Sequence, residues 1–321
     1  MEMQGRRRLR QNIETCDGNI IVLNMGGDFI FTVTRDQERF ILYTLRDTDT
    51  DSSVVVCPER GGSVISFKIH NREVLWLDSA IFEDPTQNVQ GGIPVLFPIC
   101  SVLSENGYHV DETTYHLPLH GYARSVAWRF VKSSTNDEEA SITLVSCSNA
   151  LTKALYPYDY EFQLTYCLRE SVLLTKIEIL NQSDRKMPVH YGFHPFLHVS
   201  TKDDSLILST NATEYYDLGD DQTHPFTGKI DLREDHHAKL FFDVESFSVT
   251  DPQDQCKISV WGSKEFSTYV LWSGDGKRYC IEPWTAGIDA LNTGLDLINI
   301  DENRRHSSWF AIGVQQQRGA E

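Results

Sequence analysis

The chain has 321 residues, enough for one large β or α/β domain or two smaller ones. Its 40% hydrophobic and 23% charged residues are an ordinary soluble composition. The 46 acidic against 29 basic side chains leave a formal net charge of −17, which argues against nucleic acid or an anionic membrane as the main partner.

The one basic exception comes first, at Arg6-Arg7-Arg8-Leu9-Arg10. It reads as a solvated tail, and no apolar core follows it as a secretory signal requires. Residues 1–20 are expected to be loosely ordered and 21–321 to form a single domain. No apolar run reaches the length of a membrane span.

Strand signals then dominate. Val54–Cys57 and Ser63–Ile69 flank the turn Arg60-Gly61-Gly62. Gly91-Gly92-Ile93-Pro94 and Phe97-Pro98 read as shaped backbone that lets a ligand approach closely, or as plain turns. Ser141–Ser146 is a strand candidate. Tyr160–Leu168 alternates apolar and polar residues, turns at Arg169-Glu170-Ser171 and returns as Val172–Leu180, a hairpin signature. Leu206–Ser209, Lys257–Trp261, Tyr269–Trp272, Tyr279–Glu282 and Trp309–Gln315 complete the series, with Ser273-Gly274-Asp275-Gly276 as a turn. Amphipathic helices are scarce, and there is no βαβ rhythm, dinucleotide fingerprint or phosphate loop. The pattern predicts a large all-β antiparallel sandwich or distorted barrel.

Seven scattered cysteines, at 16, 57, 100, 147, 167, 256 and 280, form no CxxC pair. They suit reduced thiols of a cytoplasmic protein better than disulfides or a zinc site. The sequons at Asn181 and Asn211 are read as chance matches.

Three segments concentrate chemistry. In Leu117–Arg124, His120 and Arg124 share a face if the segment is extended, and together they donate several hydrogen bonds to ring hydroxyls; pairing with surface acids is the alternative. In His190–Phe196, His194 stands before Pro195 and is either a proton donor at neutral pH or a satisfied structural histidine. His190 and His194 have the i, i+4 spacing of helical metal ligands, but Gly192 and Pro195 oppose a helix there, so no metal is expected. In Tyr279–Trp284, Glu282 ends an apolar strand and stands before Pro283. It is a general base raised by apolar surroundings, or a buried ion pair. Trp284 offers a face to a sugar ring or simply packs. No Gly-x-Ser-x-Gly elbow is present.

Taken together, Gly91–Cys100, His120–Arg124, Gly192–Phe196, Glu282–Ala286 and Ala290–Gly294 resemble the aldose 1-epimerase (galactose mutarotase-like) family, in its bacterial and cyanobacterial branch, over roughly residues 45–315. The resemblance implies a β-supersandwich and cofactor-free interconversion of the α and β anomers of a free hexose. It gives Glu282 as the base at the C1 hydroxyl and His194 as the acid at the ring oxygen. It places His120, Arg60, Arg124 and Trp284 at the sugar, with Asp231 the candidate for an acidic ligand. Hexose-6-phosphate 1-epimerases are an alternative, as is a non-catalytic carbohydrate-binding protein of the same fold. Gln90 and Leu119 stand where phosphate-specific relatives carry arginine and glutamine. Ser101 and Gly287-Ile288-Asp289 also depart from near relatives, at the expected rim of the pocket.

Overall fold

The computed structural model describes residues 14–16, 19–21, 30–199, 206–231, 236–274 and 278–316. The arginine run and most of the 1–20 segment lie outside the described residues. Three antiparallel sheets dominate. A five-stranded sheet runs Phe31–Gln37, Ile41–Asp47, Ser52–Cys57, Ser63–Ile69 and Arg72–Glu73 in chain order. An eight-stranded sheet has the spatial order Arg129–Thr135, Ala140–Cys147, Tyr160–Arg169, Val172–Asn181, Arg305–Gln316, Cys256–Gly262, Ser246–Asp251 and Ile207–Thr210. The third sheet runs Gln222–Pro225, Glu214–Asp217, Lys239–Phe241, Thr268–Trp272, Arg278–Trp284, Gly192–Phe193 and Val95–Leu96. Phe196–His198 pairs with the Arg278–Trp284 strand of this sheet. The architecture is the all-β supersandwich that the strand pattern and the resemblance implied.

Period-two alternation builds the core. Along Tyr160–Arg169, Tyr160, Phe162, Leu164, Tyr166 and Leu168 are fully buried, because successive side chains point to opposite faces of a strand. Phe162, Leu164 and Leu168 lie opposite Ile179, Ile177 and Leu173 in the neighbouring register. Each such side chain contributes roughly 1.5–3 kcal/mol on burial. The expected turns also have a physical cause. A Cβ on Gly92 would lie 2.2 Å from the Val64 carbonyl oxygen, and one on Gly91 2.5 Å from the Trp76 carbonyl oxygen. The close approach at these glycines is thus strand against strand, not ligand against backbone.

The third sheet has two unlike faces. Tyr279 and Ile281 point into the main core between the sheets. Arg278, Cys280, Glu282 and Trp284 point the other way, and Trp284 packs there with Leu96, Cys100, Leu240 and Val270 in a separate cluster. The sheets are tied together at Tyr191. Its hydroxyl meets His306 Nε2 and Ser308 Oγ, each at 2.7 Å, on the Arg305–Gln316 strand. Its backbone N–H donates to Thr285 Oγ1 at 3.1 Å and its carbonyl accepts the Thr285 N–H at 3.0 Å.

Cys57, Cys100, Cys167, Cys256 and Cys280 are buried free thiols and Cys147 is an exposed one. Asn181 is fully buried, and its amide donates to the carbonyls of Arg185, Ile300 and Asp301. Its place in a sequon is therefore structural. No described helix is long and apolar enough to cross a membrane.

Candidate active site

The second face of the Arg278–Trp284 strand carries the cluster. Cys280 lies opposite Phe196 and Glu282 opposite Val270. Phe196 is two residues from His194, so both rings point to this face, where they stack at 4.4 Å and 14°. His194 Nε2 lies 3.1 Å from Glu282 Oε1. The other carboxyl oxygen, Oε2, accepts the Trp284 indole N–H at 3.1 Å. Trp272 closes one flank, its ring 6.0 Å from that of His194. His120 closes another, edge-on to His194 at 5.5 Å and to Trp284 at 6.1 Å.

His120 is held by backbone. It has φ +64°, its N–H donates to the Ser101 carbonyl at 2.8 Å, and its Nδ1 accepts the Ser101 N–H at 2.9 Å. An accepting Nδ1 leaves the proton of the neutral ring on Nε2. Gly121 must be glycine here, because a Cβ would meet the Phe97 carbonyl oxygen at 2.1 Å. Arg124 donates one bond to the Leu119 carbonyl at 2.9 Å, while its Nε is buried without a partner. His190, fully buried, accepts the Cys100 N–H at Nδ1 (3.4 Å) and sits edge-on to Trp284 at 6.2 Å.

Burial sets the electrostatics. Glu282 is 2% exposed, and desolvation pushes its carboxyl well above the usual carboxylate range, against the Trp284 N–H and the charge of Arg124. Desolvation likewise pushes His194 well down, helped by His120, Arg124 and Arg278. Burial holds His120 and His190 down at about 3, so both are neutral. For the His194–Glu282 pair burial thus raises the carboxyl and lowers the imidazole, disfavouring separated charge.

His194, Glu282, His120, Trp284 and Arg124 thus come together as the sequence suggested. The Arg60 guanidinium is engaged elsewhere. Arg60 is buried, and its guanidinium is spent on the carbonyls of Phe82, Ile81, Asp84 and Gln87 at 2.9–3.1 Å, beside the Phe40 and Phe82 rings. It pins the 81–87 loop, and the motif Arg60-Gly61-Gly62 is a packing corner in which Gly61 abuts the Arg124 backbone. Asp231 is exposed on the connection between Pro225 and Lys239.

Sequence reasoning missed Arg278, Cys280, Trp76 and Trp272. The Arg278 guanidinium lies over Trp76 at 4.2 Å and 5.9 Å from the Phe196 ring. Alternation from Glu282 back to 280 and 278 was the available signal. Among the described residues, two groups of donor atoms are close enough to hold a metal ion: His194 with Cys280 and Glu282, and Asp217 with Asp220 and His224. His190 is not part of the first group, since it turns toward Cys100 and Trp284.

An antiparallel supersandwich with a buried histidine–carboxylate pair on one sheet face defines the class, and the comparisons agree. The aldose 1-epimerase family model matches residues 42–312, and the chain belongs to that family. It is 24% identical over 251 residues to "Uncharacterized protein YihR" of Escherichia coli K12, covering 70% of this chain and 79% of that one. The structure of the Slr1438 protein from Synechocystis sp. PCC 6803 superposes with a TM-score of 0.84 at 29% identity, covering 92% of this chain and all of that one (100%). A galactose mutarotase-like protein from Clostridium acetobutylicum shares the fold, with a TM-score of 0.76 at 18% identity over 89% of this chain and 99% of that one.

Proposed function

We propose that the protein is an aldose 1-epimerase that interconverts the α and β anomers of a free hexose by ring opening and closure, with Glu282 and His194 moving the protons. The observation that carries this reading is the 3.1 Å contact between the two head groups in a buried, aromatic setting. The reaction removes one proton from the C1 hydroxyl and delivers one to the ring oxygen, so a pair holding a single proton satisfies both demands without external acid or base.

A hexose enters by separating the two groups. Its hydroxyls then replace their direct contact, and the charge of Arg124 favours the carboxylate. Glu282 takes the C1 hydroxyl proton while His194 protonates the ring oxygen; the aldehyde carbon rotates and the steps reverse. The Trp284 N–H steadies the other carboxylate oxygen. His120 offers its Nε2–H to a sugar hydroxyl. No step calls for a cofactor. Water performs the reaction slowly unaided, and positioning plus proton transfer is sufficient acceleration.

A second reading, a hexose-6-phosphate 1-epimerase, is favoured by Arg278, a cation beside Phe196 that the sequence reading had not placed there. A relative from Escherichia coli K12 named "Putative glucose-6-phosphate 1-epimerase" is 20% identical over 218 residues, covering 67% of this chain and 68% of that one. A sugar-binding protein without activity is the third reading; the presence of both proton-transfer groups speaks against it.

Polarimetry or exchange NMR on freshly dissolved α-glucose, α-galactose and glucose 6-phosphate tests all three. Acceleration of a neutral sugar, falling about 10²-fold or more in both Glu282→Gln and His194→Asn, is the expected result. Rates unchanged in both variants overturn the assignment, acceleration of the phosphate alone selects the second reading, and binding without acceleration the third.

A further inference from the structure

The geometry points to a binding site for a soft divalent metal ion, of which zinc is the type, built from His194, Cys280 and Glu282, where the ion blocks the sugar site. This rests on the reading of His194 and Glu282 as the proton-transfer pair, but the thiol is a residue that reading does not use.

Alternation puts Cys280 and Glu282 side by side on one face of the Arg278–Trp284 strand, and the pairing of Cys280 with Phe196 brings His194 over both. One donor atom from each of the three lies within 4.8 Å of the others, and all three residues are buried. Donors around a tetrahedral zinc stand roughly 3.5 Å apart, so side-chain adjustments of about an ångström close the site. His194 is 9% exposed and its Nδ1 is buried with no hydrogen-bond partner. The ring therefore gives up its 3.1 Å contact with Glu282 in turning toward an ion.

Charge balance strengthens the case. A thiolate, a carboxylate and a neutral imidazole together cancel a divalent ion, so the filled site carries no net charge in a place where burial penalises any isolated one. On binding, the Cys280 thiol proton and the proton of the raised Glu282 carboxyl pass to solvent, and three metal–ligand bonds form without any redox change. Arg124 and His120 face the pair from other elements, and Arg278 from the strand that carries Cys280 and Glu282; the charges of the two arginines moderate affinity. The second candidate group differs here: the Lys239 ammonium already sits 2.9 Å from the Asp217 carboxylate, whose Oδ1 also accepts the Gly219 N–H. An ion between His194 and Glu282 occupies the space the sugar must enter, so the two exclude each other.

The test is a titration of the full-length, chelator-treated protein with cobalt(II), read by the thiolate-to-cobalt charge-transfer band, beside anomerisation assays with added zinc. One band-forming equivalent per chain is expected, displaced by zinc, with inhibition that is competitive with sugar and reversed by chelator. Cys280→Ser is expected to abolish the band and to raise the inhibitory zinc concentration by about tenfold or more, while Cys147→Ser, at the exposed thiol, retains both. Absence of the band up to submillimolar cobalt, its persistence in Cys280→Ser, or undiminished zinc inhibition in that variant overturns the proposal. If Cys280→Ser does not fold, the wild-type band decides: whichever of glucose, galactose or glucose 6-phosphate is turned over must suppress it, and a band indifferent to that sugar overturns the site. A band in a protein that is inactive after chelation counts against the epimerase reading alone.

Discussion

The two faces of the Arg278–Trp284 strand are equally buried and opposite in chemistry. Inward, Tyr279 and Ile281 join an apolar core that fixes the sandwich. Outward, Cys280, Glu282 and Trp284 are as hidden from water, yet a carboxyl, an imidazole and an arginine share the space. Burial stabilises on the first face. On the second it opposes charge, raising the Glu282 carboxyl and lowering the His194 imidazole.

The sharpest way to break this comparison is to disable the outer face alone. Glu282→Gln should lose about 10²-fold or more in anomerisation rate while folding normally. Disabling the inner face should do the reverse: Ile281→Ala is expected to cost about 2–5 kcal/mol in denaturant unfolding, with little change in rate for the folded fraction. Arg60→Met tests a residue that belongs to neither face. It should lower stability by about 2 kcal/mol, through carbonyls left unpaired, and leave KM unmoved; a raised KM with unchanged stability would return Arg60 to the sugar site.

Acid sharpens the contrast further. His190 and His120 are held neutral, down to about 3, against an unfolded value near 6.5. As pH falls below about 6.5 the unfolded chain protonates first. Their stabilisation is thus full above that pH and lost progressively toward pH 3. Melting temperature should decline through this window, less steeply in His190→Gln. Glu282 has the opposite sign. Its folded pKa is raised, so its contribution declines as pH rises above about 4.3, the unfolded value. Glu282→Gln, which keeps an acceptor for Trp284 and gains a donor for His194, should therefore melt about 2–4 °C higher than wild type at neutral pH; a lower melting temperature would contradict the cost assigned to the buried carboxyl.

Much of this was legible in the sequence where a local rule applied. The hairpin expected at Tyr160–Leu168 and Val172–Leu180 occurs as Tyr160–Arg169 and Val172–Asn181, because alternation and a turn suffice to specify it. Strands such as Phe31–Gln37 and Glu214–Asp217 were missed: charged residues such as Arg35, Asp36 and Glu214 interrupt their apolar pattern, and pairing to neighbours supplies what the pattern lacks. At the site, residues flanked by Pro or Gly stood out. Arg60 stood out for the same reason and misled, since a buried guanidinium bonded to carbonyls and one aimed at a ligand look alike in one dimension. Cys280 and Arg278 were concealed because their importance comes from Phe196 and His194 across the sheet.

The tie at Tyr191 has a mechanical consequence. With its hydroxyl anchored on His306 and Ser308 and its backbone on Thr285, the floor beneath His194 is rigid from the far sheet upward. On the proposed function, a sugar that parts imidazole and carboxyl is then accommodated by the loops around them rather than by the anchored strands. Amide exchange that slows on sugar binding should be concentrated in the 101–107, 118–124 and 285–292 loops, with the anchored strands underneath unchanged.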